Sequence, residues 1–330
     1  MTIVDEPAVL RAAVAGDQDA FQRLAQPHRR ELLVHCYRML GSLDDAEDAA
    51  QETLLKAWRH LARFEGRATL RAWLYRIATN VCLDALDHRA RRVLPAALAG
   101  PADPALPPAA DEPDLPWLQP IPDALLEIPD PDPTADPAAA VLRREHIELA
   151  FITAIQHLTP RQRAVLLLRD VLGATAAETA GLLDTTPASV NSALQRARAT
   201  LATGHRTDPP SPAQTELVDR YVRAWHAADI PALVALLHTD ADLAMPPCPS
   251  WYHGRDAIAG YLHHLFTGPL GRDLRLLPTA ANRQPALAVH AGGEPLAIKV
   301  LTISGGLITA ITGFTDPRLF TRFALGRSPG

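Results

Sequence analysis

The chain has 330 residues, 32 of them Lys or Arg against 37 Asp or Glu, for a formal net charge of −5. That length predicts two or three domains, each able to bury its own core. No run approaches the roughly 18 apolar residues of a membrane span. No apolar targeting segment follows the early Asp5 and Glu6, and three separated cysteines (Cys36, Cys82, Cys248) exclude a disulfide scaffold or a metal-ligand spacing. A reduced, cytoplasmic setting is the expectation.

Residues 8–92 read as helix throughout. A short helix through Val9–Ala15 stops at Gly16, and Asp17 can cap a longer one running to Leu40. Gly41 ends it. Ser42, with Asp45 three residues on, starts the next. That helix places Leu43, Ala46, Ala50, Leu54, Ala57, Trp58 and Leu61 at the spacing of one buried face. Its outer face is acidic, with Asp44, Asp45, Glu47, Asp48 and Glu52 before the first basic residue, Lys56. From Arg63 the charge reverses: residues 63–92 carry seven Arg against three acids, with Phe64, Trp73 and Tyr75 among them. Gly66 and Thr69 separate the acidic helix from a last one through about Arg92. An acidic helix followed by a basic, aromatic one predicts two partners of opposite charge held side by side.

Pro95–Pro137 holds thirteen of the chain's 30 prolines and nine acidic residues, with no Lys or Arg. Such a stretch reads as an extended linker without a packed core. Within it Leu115–Ile121 is apolar, and Trp117 has two destinations, a neighbouring domain of this chain or a partner.

Residues 141–203 are helical again. Thr159-Pro160-Arg161-Gln162, Thr175-Ala176-Ala177-Glu178 and Thr186-Pro187 are helix starts. Two short helices joined by a tight turn, with Ala180, Leu182 and Leu183 facing Val190, Leu194, Ala197 and Leu201, form the helix-turn-helix pattern. The outer face of its second helix shows Ser189, Asn191, Ser192, Gln195, Arg196 and Arg198 and no acid. These side chains suit phosphates and base edges.

A Pro-rich hinge at Thr207–Pro212 precedes helices at about 213–228 and 230–238, a strand at Ala241–Met245 and a helix from Arg255 to Thr267. Strands follow at 273–281, Ala286–His290, Leu296–Ile303 and Leu307–Phe314. Gly292-Gly293 and Gly305-Gly306 are hairpin turns. Helices first and an antiparallel sheet after them make an α+β domain.

The runs DDAEDAAQETLLKAW, FEGRATLRAWLYRIATNVCLDALDHRARR and LTPRQRAVLLLRDVLG with SVNSALQRARATL resemble the extracytoplasmic-function group of sigma-70-type RNA polymerase sigma factors. The run Trp251-Tyr252-His253-Gly254-Arg255-Asp256-Ala257-Ile258 resembles the SnoaL-like domain of the NTF2-like superfamily. The resemblance implies four parts: an all-α sigma region 2 (1–92), the acidic Pro-rich linker (93–140), an all-α region 4 with its helix-turn-helix (141–206), and an α+β cone domain (207–330). It implies that Asp45, Asp48, Gln51 and Glu52 meet the β′ clamp helices of core RNA polymerase, with the β flap as a further contact. Phe64, Arg67, Thr69, Trp73, Arg76 and Asn80 then engage the −10 promoter element as it melts, where unpaired bases need aromatic faces and cations. Ser189–Arg198 read the −35 element as duplex. The linker resembles the connector that threads the RNA exit channel, an acidic chain in a basic channel. Asp184 stands where the family usually has Gly, and Asp tolerates the left-handed conformation such a turn needs.

In the last domain, Trp251, His253 and Arg255 are candidate ligand-pocket residues, with Asp240, Asp242, Asp256 and His290 as further polar candidates. No metal, cofactor or catalytic residue is expected. The domain is read as a regulator in cis, in the place of an anti-sigma partner. The alternative is a small-molecule receptor or SnoaL-like enzyme fused to a DNA-binding module.

Overall fold

A computed structural model describes residues 6–64, 66, 69–88, 90–127, 147–201, 211–268, 271 and 273–326. Their contacts fall into two compact units. One holds residues 6–91, 125–127 and 154–201; the other holds 92–124, 147–153 and 211–326.

The first unit begins with α1 (Glu6–Val14), α2 (Gln18–Ala25) and α3 (Arg29–Leu40). Asp17 caps α2 by accepting the Ala20 N–H at 3.0 Å. The expected single helix to Leu40 is broken, because Pro27 lacks an N–H and its ring crowds the preceding turn; Gln26–His28 becomes a 3₁₀ turn. Gly41 ends α3 with φ 70, and an added Cβ there would lie 2.9 Å from the Gln156 side chain, so turn and packing both require glycine.

Ser42 starts α4 (Leu43–His60), its hydroxyl accepting the Asp45 N–H at 3.2 Å. Leu43, Ala46 and Ala57 are buried as expected, but Ala49 and Thr53 hold the centre of that face, and Ala50, Leu54 and Trp58 are half-buried. Thr53 is accommodated because its hydroxyl donates to the Ala49 carbonyl at 2.7 Å. A 3₁₀ turn, Leu61–Arg63, leads on to α5 (Leu70–His88), which ends short of the expected Arg92.

The helices α6 (Leu149–Ile155), α7 (Pro160–Leu166), α8 (Ala176–Leu182) and α9 (Pro187–Leu201) follow, with a π-helical turn at Leu167–Val171 after α7. Thr159 with Gln162 and Thr175 with Glu178 form complete capping boxes, as the sequence predicts. Val190, Leu194, Ala197, Ala180 and Leu183 are buried between the last two helices. The segment expected as helix from 141 lies outside the described residues as far as 146, as does most of the 207–212 hinge.

The second unit is built on a six-stranded sheet of order β2-β1-β6-β5-β4-β3. The strands are β1 (Leu237–Ala244), β2 (Trp251–His253), β3 (Leu274–Ala281), β4 (Gln284–Ala291), β5 (Glu294–Ser304) and β6 (Leu307–Phe314). The expected antiparallel sheet is mixed, since β1 pairs with β6 in parallel; β2 is a strand the sequence reading left out. Gly292-Gly293 and Gly305-Gly306 turn with positive φ, as does the unforeseen pair Asn282-Arg283 at φ 56 and 60. Register shifts in β1, β4 and β5 bend the sheet around its core. Against it pack α10 (Pro212–His226), α11 (Ile230–Ala235) and α12 (Arg255–Thr267), with α13 (Arg318–Arg322) near the end. Tyr221, Trp225 and Tyr252 are the largest buried side chains of that core. Among the described residues no helix is long and apolar enough to cross a membrane.

Candidate polymerase and promoter interfaces

On α4, Asp45, Asp48 and Glu52 stand at helical spacings of three and four, which puts them on one face. Asp48 and Gln51 are exposed, Asp45 and Glu52 half-buried. Glu52 lies 3.8 Å from Lys56, which lies equally close to Asp84. Leu55, half exposed, sits one turn beyond Gln51 on the same face. The first helical turn favours acids because its N–H groups point outward unpaired.

Phe64 and Trp73 meet with ring centroids 5.2 Å apart. Thr69 caps α5 by accepting the Ala72 N–H at 3.1 Å. Trp73, Arg76 and Asn80 follow at intervals of four, three and four, so they share one face with Thr69. Arg67 lies outside the described residues. Arg76 is engaged, its guanidinium donating to both carboxylate oxygens of Asp184 at 2.9 and 3.1 Å. Asp184 itself has φ 48, the left-handed turn conformation expected of it. Replacing it with Gly should change stability by less than about 1 kcal/mol, since backbone strain is relieved as an exposed ion pair is lost. Thermal unfolding of D184G checks this.

Arg71, on the opposite side of α5, is a residue sequence reasoning left among the DNA cations. It donates to Glu31 at 2.8 Å and lies over the Tyr75 ring. Burial pushes the Glu31 carboxyl up, but hydrogen bonds from His28 and Arg71 outweigh this and hold it below its ordinary range. The signal was present in the sequence: Glu31 is the single acid of α3, directly before the apolar run Leu32-Leu33-Val34.

On α9, Ser189, Asn191, Ser192, Gln195, Arg196 and Arg198 are all exposed. Thr186 caps the helix through the Ser189 N–H. Arg196 donates to Ser192 at 2.7 Å, and Arg198 makes two hydrogen bonds to Asp170, at 2.9 and 2.6 Å.

The three candidate pocket residues have separate engagements. Trp251 donates through Nε1 to the Ala99 carbonyl at 2.9 Å. His253 is exposed and bonded to Asp242 at 2.8 Å, which raises its pKa. Arg255 donates to the Leu237 carbonyl.

Residues 92–124 are not a free spacer. Val93 bridges to Trp117, which is buried and donates to the Glu112 carbonyl at 2.7 Å. The Ala102 N–H donates to the Trp251 carbonyl at 2.7 Å, the Ala109 N–H to Ser250 at 2.9 Å, and the Glu112 N–H to the Pro247 carbonyl at 3.0 Å. The β3–β4 turn takes the far end. Asn282 exchanges two hydrogen bonds with the Ile121 backbone, at 2.9 and 3.0 Å, and its Nδ2 donates to the Ile147 carbonyl at 2.8 Å. Asp123 accepts the Arg283 N–H at 2.7 Å. Leu118 and Ile121 are fully buried. The composition of the whole segment concealed this, because Pro-rich chain lacks donors to satisfy and lies readily on a surface.

An acidic helix, an aromatic-cationic helix and a helix-turn-helix, in that order, are the parts of a promoter-specificity subunit. Residues 24–92 match the family model for sigma-70 region 2, residues 148–201 that for sigma-70 region 4, and residues 218–310 that for the SnoaL-like domain. The chain is 44% identical over 315 residues to the ECF RNA polymerase sigma factor SigG of Mycobacterium tuberculosis (strain ATCC 25618 / H37Rv), covering 92% of this chain and 84% of that protein. It is 32% identical over 194 residues to SigM of the same strain, covering 59% of this chain and 81% of SigM. The crystal structure of the M. tuberculosis extracytoplasmic function sigma factor SigJ shares the fold with a TM-score of 0.60 at 24% identity, over 90% of this chain and 97% of that one. The chain belongs to the extracytoplasmic-function sigma factors of RNA polymerase. Its partners are core RNA polymerase and promoter DNA, and its activity is promoter-directed transcription initiation.

Proposed function

We propose that the C-terminal domain regulates this sigma factor in cis by holding the connector between its two promoter-reading modules. The observation that carries the reading is the run of hydrogen bonds from Ala99 to Asp123 onto the β1–β2 loop, β2 and the β3–β4 turn. A connector that must thread a basic channel of polymerase is occupied while it lies there. The domain and the polymerase thus compete for one acidic segment, and the domain fills the place of a separate anti-sigma protein. Once the segment is released, Asp45, Asp48, Gln51 and Glu52 dock on the β′ clamp helices. The face formed by Phe64, Arg67, Thr69, Trp73, Arg76 and Asn80 takes the melted −10 element. Ser189, Asn191, Ser192, Gln195, Arg196 and Arg198 read the −35 duplex. The protein works where polymerase does, in the cytoplasm. No catalytic step enters this reading.

Asn282→Gly is the sharpest test. Glycine keeps the positive φ but removes the side-chain hydrogen bonds to Ile121 and Ile147, worth about 1 kcal/mol each. The variant should expose residues 93–124 to limited proteolysis and raise polymerase affinity and run-off transcription from genomic fragments by about fivefold or more. A connector that becomes protease-sensitive with no gain in either activity would sink the proposal. Deleting 207–330 is a coarser probe, since it also uncovers Ile121.

A further inference from the structure

Within the first unit, the stretch matched to sigma region 2 and the stretch matched to region 4 are fastened to each other. Arg163 of α7 donates to the Met39 carbonyl at the end of α3. The Gln156 side chain lies 2.9 Å from where a Cβ on Gly41 would stand, and Arg91 donates to His157 Nδ1 at 3.2 Å. A further tie reaches a side chain of the −10 face. Asp184, in the turn between α8 and α9, accepts from Arg76 of α5 through both carboxylate oxygens, at 2.9 and 3.1 Å.

The turn itself does not call for an acid. Asp184 has φ 48, which glycine adopts without strain, so the carboxylate is what this residue adds. It is the sole acid between Glu178 and Leu201, next to a helix that reads duplex, where phosphates would repel it. The side chains of Arg76 and Asp184 are 44% and 74% exposed. A phosphate can therefore reach the guanidinium and take it in the same two-oxygen geometry. Promoter spacing then decides the matter. The −10 and −35 elements stand about 25 base pairs apart, or about 85 Å at 3.4 Å per pair. A region 4 that reads the −35 element cannot keep its turn 2.9 Å from a side chain at the −10 element.

We propose that Asp184 is a latch: its carboxylate closes the helix-turn-helix onto region 2 and occupies Arg76 until polymerase and promoter draw the two modules apart. The closed form is the resting state of the first unit. Promoter phosphate takes the place of the carboxylate when it opens. The screening of Arg76 rests on the −10 role given to that face, whereas the latch does not. Both are separate from control of the connector, which Asn282 and Arg283 hold in the second unit.

The test is a double-substitution cycle in the full chain, read as affinity for core polymerase at about 0.05 and 0.5 M salt. Asn at 184 tolerates the positive φ, Gln at 76 stays polar, and either one removes the ion pair. Only the open form engages the β′ clamp and the β flap together, so apparent affinity follows the open fraction. Asp184→Asn and Arg76→Gln should each tighten binding by about two- to fivefold at low salt. The double variant should gain no more than either one, and the gains should shrink at high salt as the pair is screened. Wild-type affinity in both single variants, or gains that multiply in the double variant, would overturn the latch. Run-off transcription from genomic fragments tests the screening by itself: D184N should gain and R76Q should lose. An R76Q protein that gains alongside D184N would overturn the screening and the −10 role of Arg76 with it.

Discussion

Reversing Asp45 and Asp48 together to lysine should lower affinity for core RNA polymerase by about a hundredfold or more, with the helical fold retained. The expectation comes from weighing two effects of one substitution. Within the free protein, each reversal places a cation at the N-terminal end of α4, at a cost of about 0.3–1 kcal/mol. Ser42 still caps the helix through the Asp45 backbone N–H, which no side-chain change removes. The buried face of Leu43, Ala46, Ala49, Thr53 and Ala57 is untouched. At an interface, truncating one member of a desolvated charge pair costs about 2–5 kcal/mol, and reversing it adds repulsion. The interface term therefore exceeds the folding term by several fold. Fluorescence anisotropy of labelled protein against core polymerase, with circular dichroism as the fold control, reads the two apart. Near-native affinity in the folded variant would mean that another face of α4, or the exposed Leu55, carries the docking.

What the sequence disclosed and what it withheld divide along a physical line. Signals carried by one residue and its near neighbours were legible. Ser42, Thr159 and Thr175 cap the helices they announce, and the two Gly-Gly pairs turn the hairpins they predict. Signals that depend on what a residue meets far along the chain were not. Thr53 looks polar in sequence, yet it is wholly buried because its hydroxyl finds the Ala49 carbonyl in its own helix. Asn282-Arg283 is a hairpin turn without glycine, and its use is to grip residues 160 and 161 positions earlier. The parallel pairing of β1 with β6 joins strands whose alternation says nothing of direction. Pro27 was the exception, a local breaker that the apolar periodicity on either side concealed. The promoter faces show the same division. The family resemblance named Trp73, Arg76 and Asn80 together, but only the tertiary structure gives Arg71 to Glu31 and Arg76 to Asp184.

Arg163→Met should be the most damaging single substitution in the first unit, lowering its stability by about 3–5 kcal/mol. Arg163 is 2% exposed, on α7, where a capping-box helix of apolar face gives no hint of a buried guanidinium. Its Nη1 donates to the carbonyl of Met39 and to Gln156 Oε1 at 2.9 Å, and its Nη2 to the carbonyls of Gln156 at 3.2 Å and Leu158 at 3.5 Å. Met39 lies in the last turn of α3, whose carbonyls have no partner within the helix. One side chain thus closes the end of α3 and fastens it to α7. Burial, with a smaller push from Arg91, draws its pKa down to about 10, so the group remains charged at neutral pH. Methionine fills much of the same volume, so the loss measures unpaired carbonyls more than an empty space. Lysine, a point donor in place of a planar fork, should recover only part of it. Trp58 and Trp73 report on this unit and Trp117, Trp225 and Trp251 on the other. The transition followed by the first pair should therefore fall by about 10 °C in R163M, while a probe confined to the second unit keeps its midpoint. A loss below about 1 kcal/mol would show that water reaches those carbonyls once the guanidinium is gone, and that the tie between α3 and α7 is made by their apolar contacts alone.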